Sequence, residues 1–239
     1  MMKRHSRYWS WVCAVDQTQG GLVISAVLLM MFSSVSESSG QEFPPLRRAD
    51  IINTAKAFAE YSWVAKQKNL SAPCKAGPRY SGKPYHSNFS EGQIVVGVPY
   101  DWGGIDGVDD FAKKLILGFA AGSHKEQECD QCRRCTTGID CSGFVLYCWG
   151  QRVHDWNTNS MTTFGNVQPA SFNPRTDLQP GDALNHPGDH IMLFDSYQSD
   201  GRPVLYEAAG GIVARVVRRS HNWAEFEGWV ILRYRNVVQ

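Results

Sequence analysis

The sequence predicts an α+β fold in which helices come first and an antiparallel sheet follows. Apolar residues recur at helical spacing up to about residue 150, whereas beyond Pro180 they come in short runs separated by turn dipeptides. The chain has 239 residues, 43% hydrophobic and 12% aromatic, which is enough apolar surface for one well-buried domain with an added subdomain.

The N-terminal 40 residues read as an export signal. Lys3, Arg4 and Arg7 precede an apolar run from Leu22 to Phe32, and small polar residues follow. Such a run is short for a bilayer core of roughly 30 Å but suits a cleavable signal, with an uncleaved anchor or a buried helix as the other reading. No Cys follows the run and no twin-Arg pair precedes it, so the expectation is export in the unfolded state, no lipid anchor, and no stable membrane span after processing. The formal net charge is +1, and removing residues 1–40 brings it to balance. That gives no electrostatic reason to expect a nucleic-acid partner.

Residues 41–96 are expected to form an N-terminal helix and loop. Ile51, Ile52, Ala55, Phe58, Ala59 and Trp63 repeat at helical spacing, predicting an amphipathic helix over about 50–67 with Asp50 as its N-cap. Residues 68–95 are rich in Gly, Pro, Ser and Lys and read as surface loop. A second helix is predicted over about 108–121. Residues 122–138 carry charge and three cysteines without periodicity, and a third helix should run from Asp140 or Cys141 to about Gly150. Strands are predicted at 190–194, 203–208, 212–217 and 228–234, between turns such as Asp200-Gly201 and Gly210-Gly211.

The segment Thr137-Gly-Ile-Asp-Cys-Ser-Gly143 carries the most chemistry. Asp140 can cap the third helix and place Cys141 in its first turn, where unpaired amides and the dipole favour an anion. A thiolate is such an anion, so the sulfur is expected to titrate below the free value of about 8.5. Gly143 removes bulk beside it. A base must come from a distant segment, and Pro180-Gly-Asp-Ala-Leu-Asn-His186-Pro-Gly-Asp-His190 offers two histidines. His190 heads an apolar strand that would hold it, while His186 sits in a Pro/Gly turn; His190 is the preferred base.

Gly97-Val-Pro-Tyr100-Asp-Trp102-Gly-Gly104, then Asp140-Cys141-Ser142-Gly143, then Gly181-Asp182 with His190 before an apolar strand, form an ordered set of three elements. The set resembles the NlpC-type family of papain-like cysteine peptidases, bacterial enzymes that cut peptidoglycan stem peptides. The resemblance covers roughly 97–210 and implies a catalytic domain over 97–239, with the nucleophile helix packed on an antiparallel β-sheet. It implies Cys141 as nucleophile and His190 as base, with Tyr100, Trp102, Asp140 and Ser142 near the substrate or oxyanion; the Cys141 amide is itself a natural oxyanion donor. The third position, usually His, Asn or Gln in the family, falls on Glu207, a departure similar to the related CHAP amidases. Asp189 and Asp195 are the alternative orienters. The implied chemistry is acyl transfer without metal or cofactor, most plausibly a D-glutamyl–diamino acid endopeptidase on a peptidoglycan peptide. An N-acetylmuramoyl-L-alanine amidase, an acyltransferase or a silent wall-binding module are the alternatives.

Tyr100 and Cys141 lie 41 positions apart, farther than in typical members, so about 105–137 is expected to be an insertion that loops out of the core. It holds Cys129, Cys132 and Cys135. With Cys74 these could form two disulfides, or with Cys74 or His124 a zinc site, or remain free thiols; unfolded export favours disulfides. Cys148 lies seven residues after Cys141 on one helix, too far to bridge it, and reads as a core thiol. Arg215, Arg218, Arg219, Arg233 and Arg235 would give the late strands a basic face. Sequons stand at Asn69 and Asn88, of use only where the source glycosylates.

Overall fold

The computed structural model describes residues 43–70, 89–122, 135–152, 156–169 and 171–238. The expected signal, Cys74, His124, Cys129, Cys132 and Asn88 lie outside them. The order of elements begins with β1 (Leu46–Arg47) and α1 (Arg48–Glu60). Ile51, Ala55 and Phe58 form the buried stripe of α1. Asp50 is not its cap: the helix starts two residues earlier, and the carboxylate sits in the first turn accepting from Arg47 at 2.8 and 3.0 Å. An acid there still complements the dipole.

α1 also ends before the predicted boundary. Ser62–Val64 form β2, antiparallel to β3 (Ile94–Val96). The extended backbone buries Trp63 while Ser62 and Val64 stay exposed. The indole donates to the Gly97 carbonyl at 3.2 Å and meets Phe89 and Phe111 edge-on. Tertiary packing thus overrides a helical apolar pattern that the aromatic residue fits equally well. A short 3-10 turn, Gln67–Asn69, follows. Asn69 is only 2% exposed, and its side-chain amide donates to the Leu115 and Phe119 carbonyls at 3.0 and 2.9 Å.

α2 (Val108–Leu117) stops where Gly118 adopts a left-handed conformation, φ 88°. β4 (Ala120–Ala121) then pairs in parallel with β5 (Thr136–Thr137). The described part of the expected insertion does not loop out of the core. Phe111 is fully buried, with its ring 5.8 Å from Tyr61 and 5.5 Å from Trp63. Spacing measures only extra length; one large apolar side chain on α2 is enough to bring that length back to the core.

α3 (Cys141–Cys148) is buried along nearly its whole length. It faces a six-stranded sheet made of β6 (Gly165–Val167), β7 (Ala183–His186), β8 (His190–Tyr197), β9 (Pro203–Ala209), β10 (Arg215–Ser220) and β11 (Val230–Tyr234). The spatial order is β10-β9-β8-β7-β11-β6, every neighbouring pair antiparallel. β12 (Val237–Val238) returns to pair in parallel with β1. β8 shows how one strand serves two cores. Ile191 and Leu193 join the larger core under α1 and α3, whereas Met192 and Phe194 join a smaller one with Leu178, Leu184 and Leu205. β6 and β7 were not anticipated from sequence. β10 starts later than predicted because Gly210–Ala214 forms a turn in which Ala214 takes φ 56°.

The Gly181-Asp182 pair proves to be a clamp. Asp182 is fully buried; one carboxylate oxygen takes Arg48 at 3.1 Å, the two together take Arg233 at 2.9 and 2.6 Å, and the Gln179 amide donates at 3.0 Å. It thereby ties α1 and β11 to the start of β7. The expected basic face is not a free one. Arg218 pairs with Asp195, Arg219 with Glu207 and Arg233 with Asp182, while Arg215 and Arg235 donate to carbonyls. Among the described residues no helix is long and apolar enough to cross a membrane.

Candidate active site

The Tyr100 segment is strapped to the residues before α3. The Asp101 amide donates to the Ile139 carbonyl and the Ile139 amide to Pro99, at 3.1 and 3.0 Å, while the Asp140 amide reaches Gly104 at 3.1 Å. Only glycine fits this crossing: a Cβ on Gly104 would stand 2.5 Å from the Gly138 carbonyl oxygen. Asp140 completes the strap. One carboxylate oxygen accepts from the Gly143 amide at 2.7 Å as the helix cap and from the Ser142 hydroxyl at 3.2 Å; the other accepts from the Gly103 amide at 2.8 Å. Asp140 and Ser142 therefore build the corner on which Cys141 stands. Trp102, at the outside of the same turn, is exposed.

Cys141 and Cys148 are the free cysteines among the described residues. Cys141 is 6% exposed, and its sulfur faces the backbone amides of Ile191, Ser142 and Cys141 itself. These amides favour a thiolate, as the sequence suggested, but they do not win. Burial, helped by the nearby Asp140 charge, pushes the thiol up to about 12. The expected fall below the free value is thus reversed at rest, because desolvation of a sulfur packed beneath a sheet outweighs a helix terminus. Tyr100 is buried beside it, and its phenol is pushed up by burial and by the charges of Cys141, Asp140 and Asp101. Burial also raises Cys148, fixing it as a core thiol.

The amide of Ile191 places the sulfur against the first residues of β8, and His190 is the residue before. Its Nε2 lies 2.9 Å from Glu207 Oε2, across the β8–β9 pair. That bond fixes the ring and leaves Nδ1 as the nitrogen for proton transfer. The Trp229 ring packs edge-on against the His190 ring at 6.3 Å between centroids. Trp229 also lines a cavity of about 510 Å³ with Phe172, Trp223 and Phe226. His186 lies opposite His190 in the strand pairing and stacks on Trp229 at 5.6 Å, with Asp189 3.3 Å from its Nδ1. Asp195 is taken by Arg218 and Ser196. Of the possible orienters, Glu207 is the one that reaches His190.

Sequence reasoning missed what stands behind Glu207. This carboxylate is 1% exposed, and its Oε1 accepts from Arg219 Nε at 2.6 Å and meets His221 Nε2 at 3.0 Å. Burial alone would raise its pKa, but the bonds from His190, His221 and Arg219 outweigh burial and hold it well below the usual carboxylate range. A signal for His221 existed in Asn222-x-x-Glu225, a capping box that starts the 3-10 turn Trp223–Phe226 and holds Glu225 beside the imidazole.

Compared with known proteins, the chain matches no family model and no curated protein. What can be said of its chemistry therefore rests on this geometry. A buried thiol that faces the amide of Ile191, the residue after an imidazole held by a carboxylate, is a combination suited to nucleophilic acyl transfer.

Proposed function

We propose that the chain is an exported cysteine hydrolase of the NlpC-type, papain-like class, acting on peptidoglycan stem peptides at a D-glutamyl–diamino acid bond. One observation supports it above the others: Cys141 heads a helix whose first turn meets β8 at Ile191, and the preceding His190 is held by Glu207. His190 Nδ1 takes the thiol proton as the sulfur attacks the amide carbonyl, which reconciles the chemistry with a thiol that is protonated at rest. The Cys141 amide steadies the oxyanion, with Tyr100 beside it. His190 then protonates the leaving amine, and a water deprotonated by the same imidazole releases the acyl group. No metal takes part in these steps. For the cysteines of the 105–137 segment, export in the unfolded state favours disulfides over zinc.

A carboxylate in the third position also fits an N-acetylmuramoyl-L-alanine amidase, and product masses separate the two. Purified muropeptides are incubated with the protein and with Cys141→Ala. The endopeptidase reading expects a D-glutamyl-terminated fragment from the unsubstituted protein alone. Free lactyl-bearing glycan would transfer the assignment to the amidase, and equal products from both proteins would remove the mechanism.

A further inference from the structure

His221 is 5% exposed and lies between two acids. Its Nε2 stands 3.0 Å from Glu207 Oε1 and its Nδ1 2.8 Å from Glu225 Oε2. An ionised carboxylate can only accept, so both ring nitrogens must donate, and an imidazole that donates from both is a cation. Burial would drive the ring toward neutrality, but the bonds and charges of Glu207 and Glu225 outweigh it and raise its pKa. Every charged group facing the ring belongs to one chain of contacts. Glu207 comes from β9 and Glu225 from the 3-10 turn, while Arg219 from β10 shares Glu207 Oε1 and also lies near Glu225. The Phe226 ring covers the remaining side at 5.7 Å.

We propose that His221 is a positioning residue of the Cys141–His190–Glu207 site: a buried imidazolium that holds the Glu207 carboxylate with Oε2 aimed at His190 and offsets its charge. This rests on the hydrolase reading for its purpose but not for its geometry. Two cations, Arg219 and His221, stand against two anions, Glu207 and Glu225, so the cluster's charges balance without any from His190. A neutral His190 is the form that can take the proton of a thiol. Remove the His221 charge and His190 faces an uncompensated carboxylate, which favours the imidazolium and disables the base.

The test reads histidine protonation directly by ¹⁵N NMR of the protein, beside the pH profile of muropeptide cleavage. In the unsubstituted protein His221 is expected to show two protonated ring nitrogens at neutral pH, and His190 a proton on Nε2. In His221→Gln the acid limb of kcat/KM should move up by about one pH unit, with KM little changed. Glu225→Gln, at a half-exposed side chain, serves if His221→Gln fails to fold; there His221 should lose its second proton at lower pH. A bare ring nitrogen on His221 at neutral pH overturns the proposal, as does an acid limb unmoved in His221→Gln. Absence of cleavage by the unsubstituted protein would count against the hydrolase reading and leave the NMR result standing.

Discussion

Glu207 concentrates the electrostatics of the site in one side chain that accepts from three others. Replacing it with Gln keeps the shape but removes the charge and confronts His190, His221 and Arg219 with an amide that donates as well as accepts. Glu207→Gln should lower kcat/KM on muropeptides by roughly 10²–10³, the scale of a positioned acid–base group, with little change in KM; steady-state kinetics at fixed pH checks this. Cys141 and His190 stand out in the sequence by local pattern, a capped helix start and a strand head, and the resemblance points to Glu207, which the structure brings to His190. His221 and Arg219 do not stand out, since their meeting with Glu207 depends on the β9–β10 register and on which way each strand residue faces. The direction of the Cys141 shift was misread for a related reason. Sequence displays the helix terminus above which the sulfur sits but not the depth at which it is buried.

Among the polar ties between elements, the Asp182 carboxylate accepts four bonds. Its carboxylate joins α1 through Arg48 and β11 through Arg233, its amide closes the turn before β7 onto Gln179, and its carbonyl accepts from Phe194 of β8. Asp182→Ala leaves two guanidinium groups without their shared acid, and should cost about 3–5 kcal/mol of stability, read from urea denaturation. Residual cleavage per folded molecule should stay near that of the unsubstituted protein, because Asp182 touches neither Cys141 nor His190. The main helices and the four late strands could be anticipated from periodicity. The boundary of α1 could not, because Trp63 continues the helical spacing of Ile51, Ala55 and Phe58 while its actual neighbours, Phe89 and Phe111, are distant in sequence. β7 was hidden in the same way: Ala183–His186 is short, and it becomes a strand because β8 and β11 flank it.

For the molecule as a whole, the buried charge cluster links pH to folding. Glu207 titrates below its unfolded value, so its contribution is present above about pH 4.5 and is lost as pH falls through the folded value. His221 titrates above its unfolded value, so its contribution is complete below about pH 6.5 and is lost as pH rises through the folded value. The two overlap between about pH 4.5 and 6.5. The stability difference between the unsubstituted protein and Glu207→Gln should be greatest in that window and shrink on either side, as measured by urea denaturation across the pH range.

Asn69 carries a last consequence. Its side-chain amide is a strut between the 3-10 turn and the end of α2, inaccessible once the chain has folded. Oligosaccharide transfer acts on the nascent chain, before that strut is seated. In a host whose secretory pathway attaches such sugars, the Asn69-Leu70-Ser71 acceptor would be modified ahead of folding, and the bulky adduct would hold α2 away from its seat. A host that leaves the Asn69 amide bare lets the strut seat as the structure shows it.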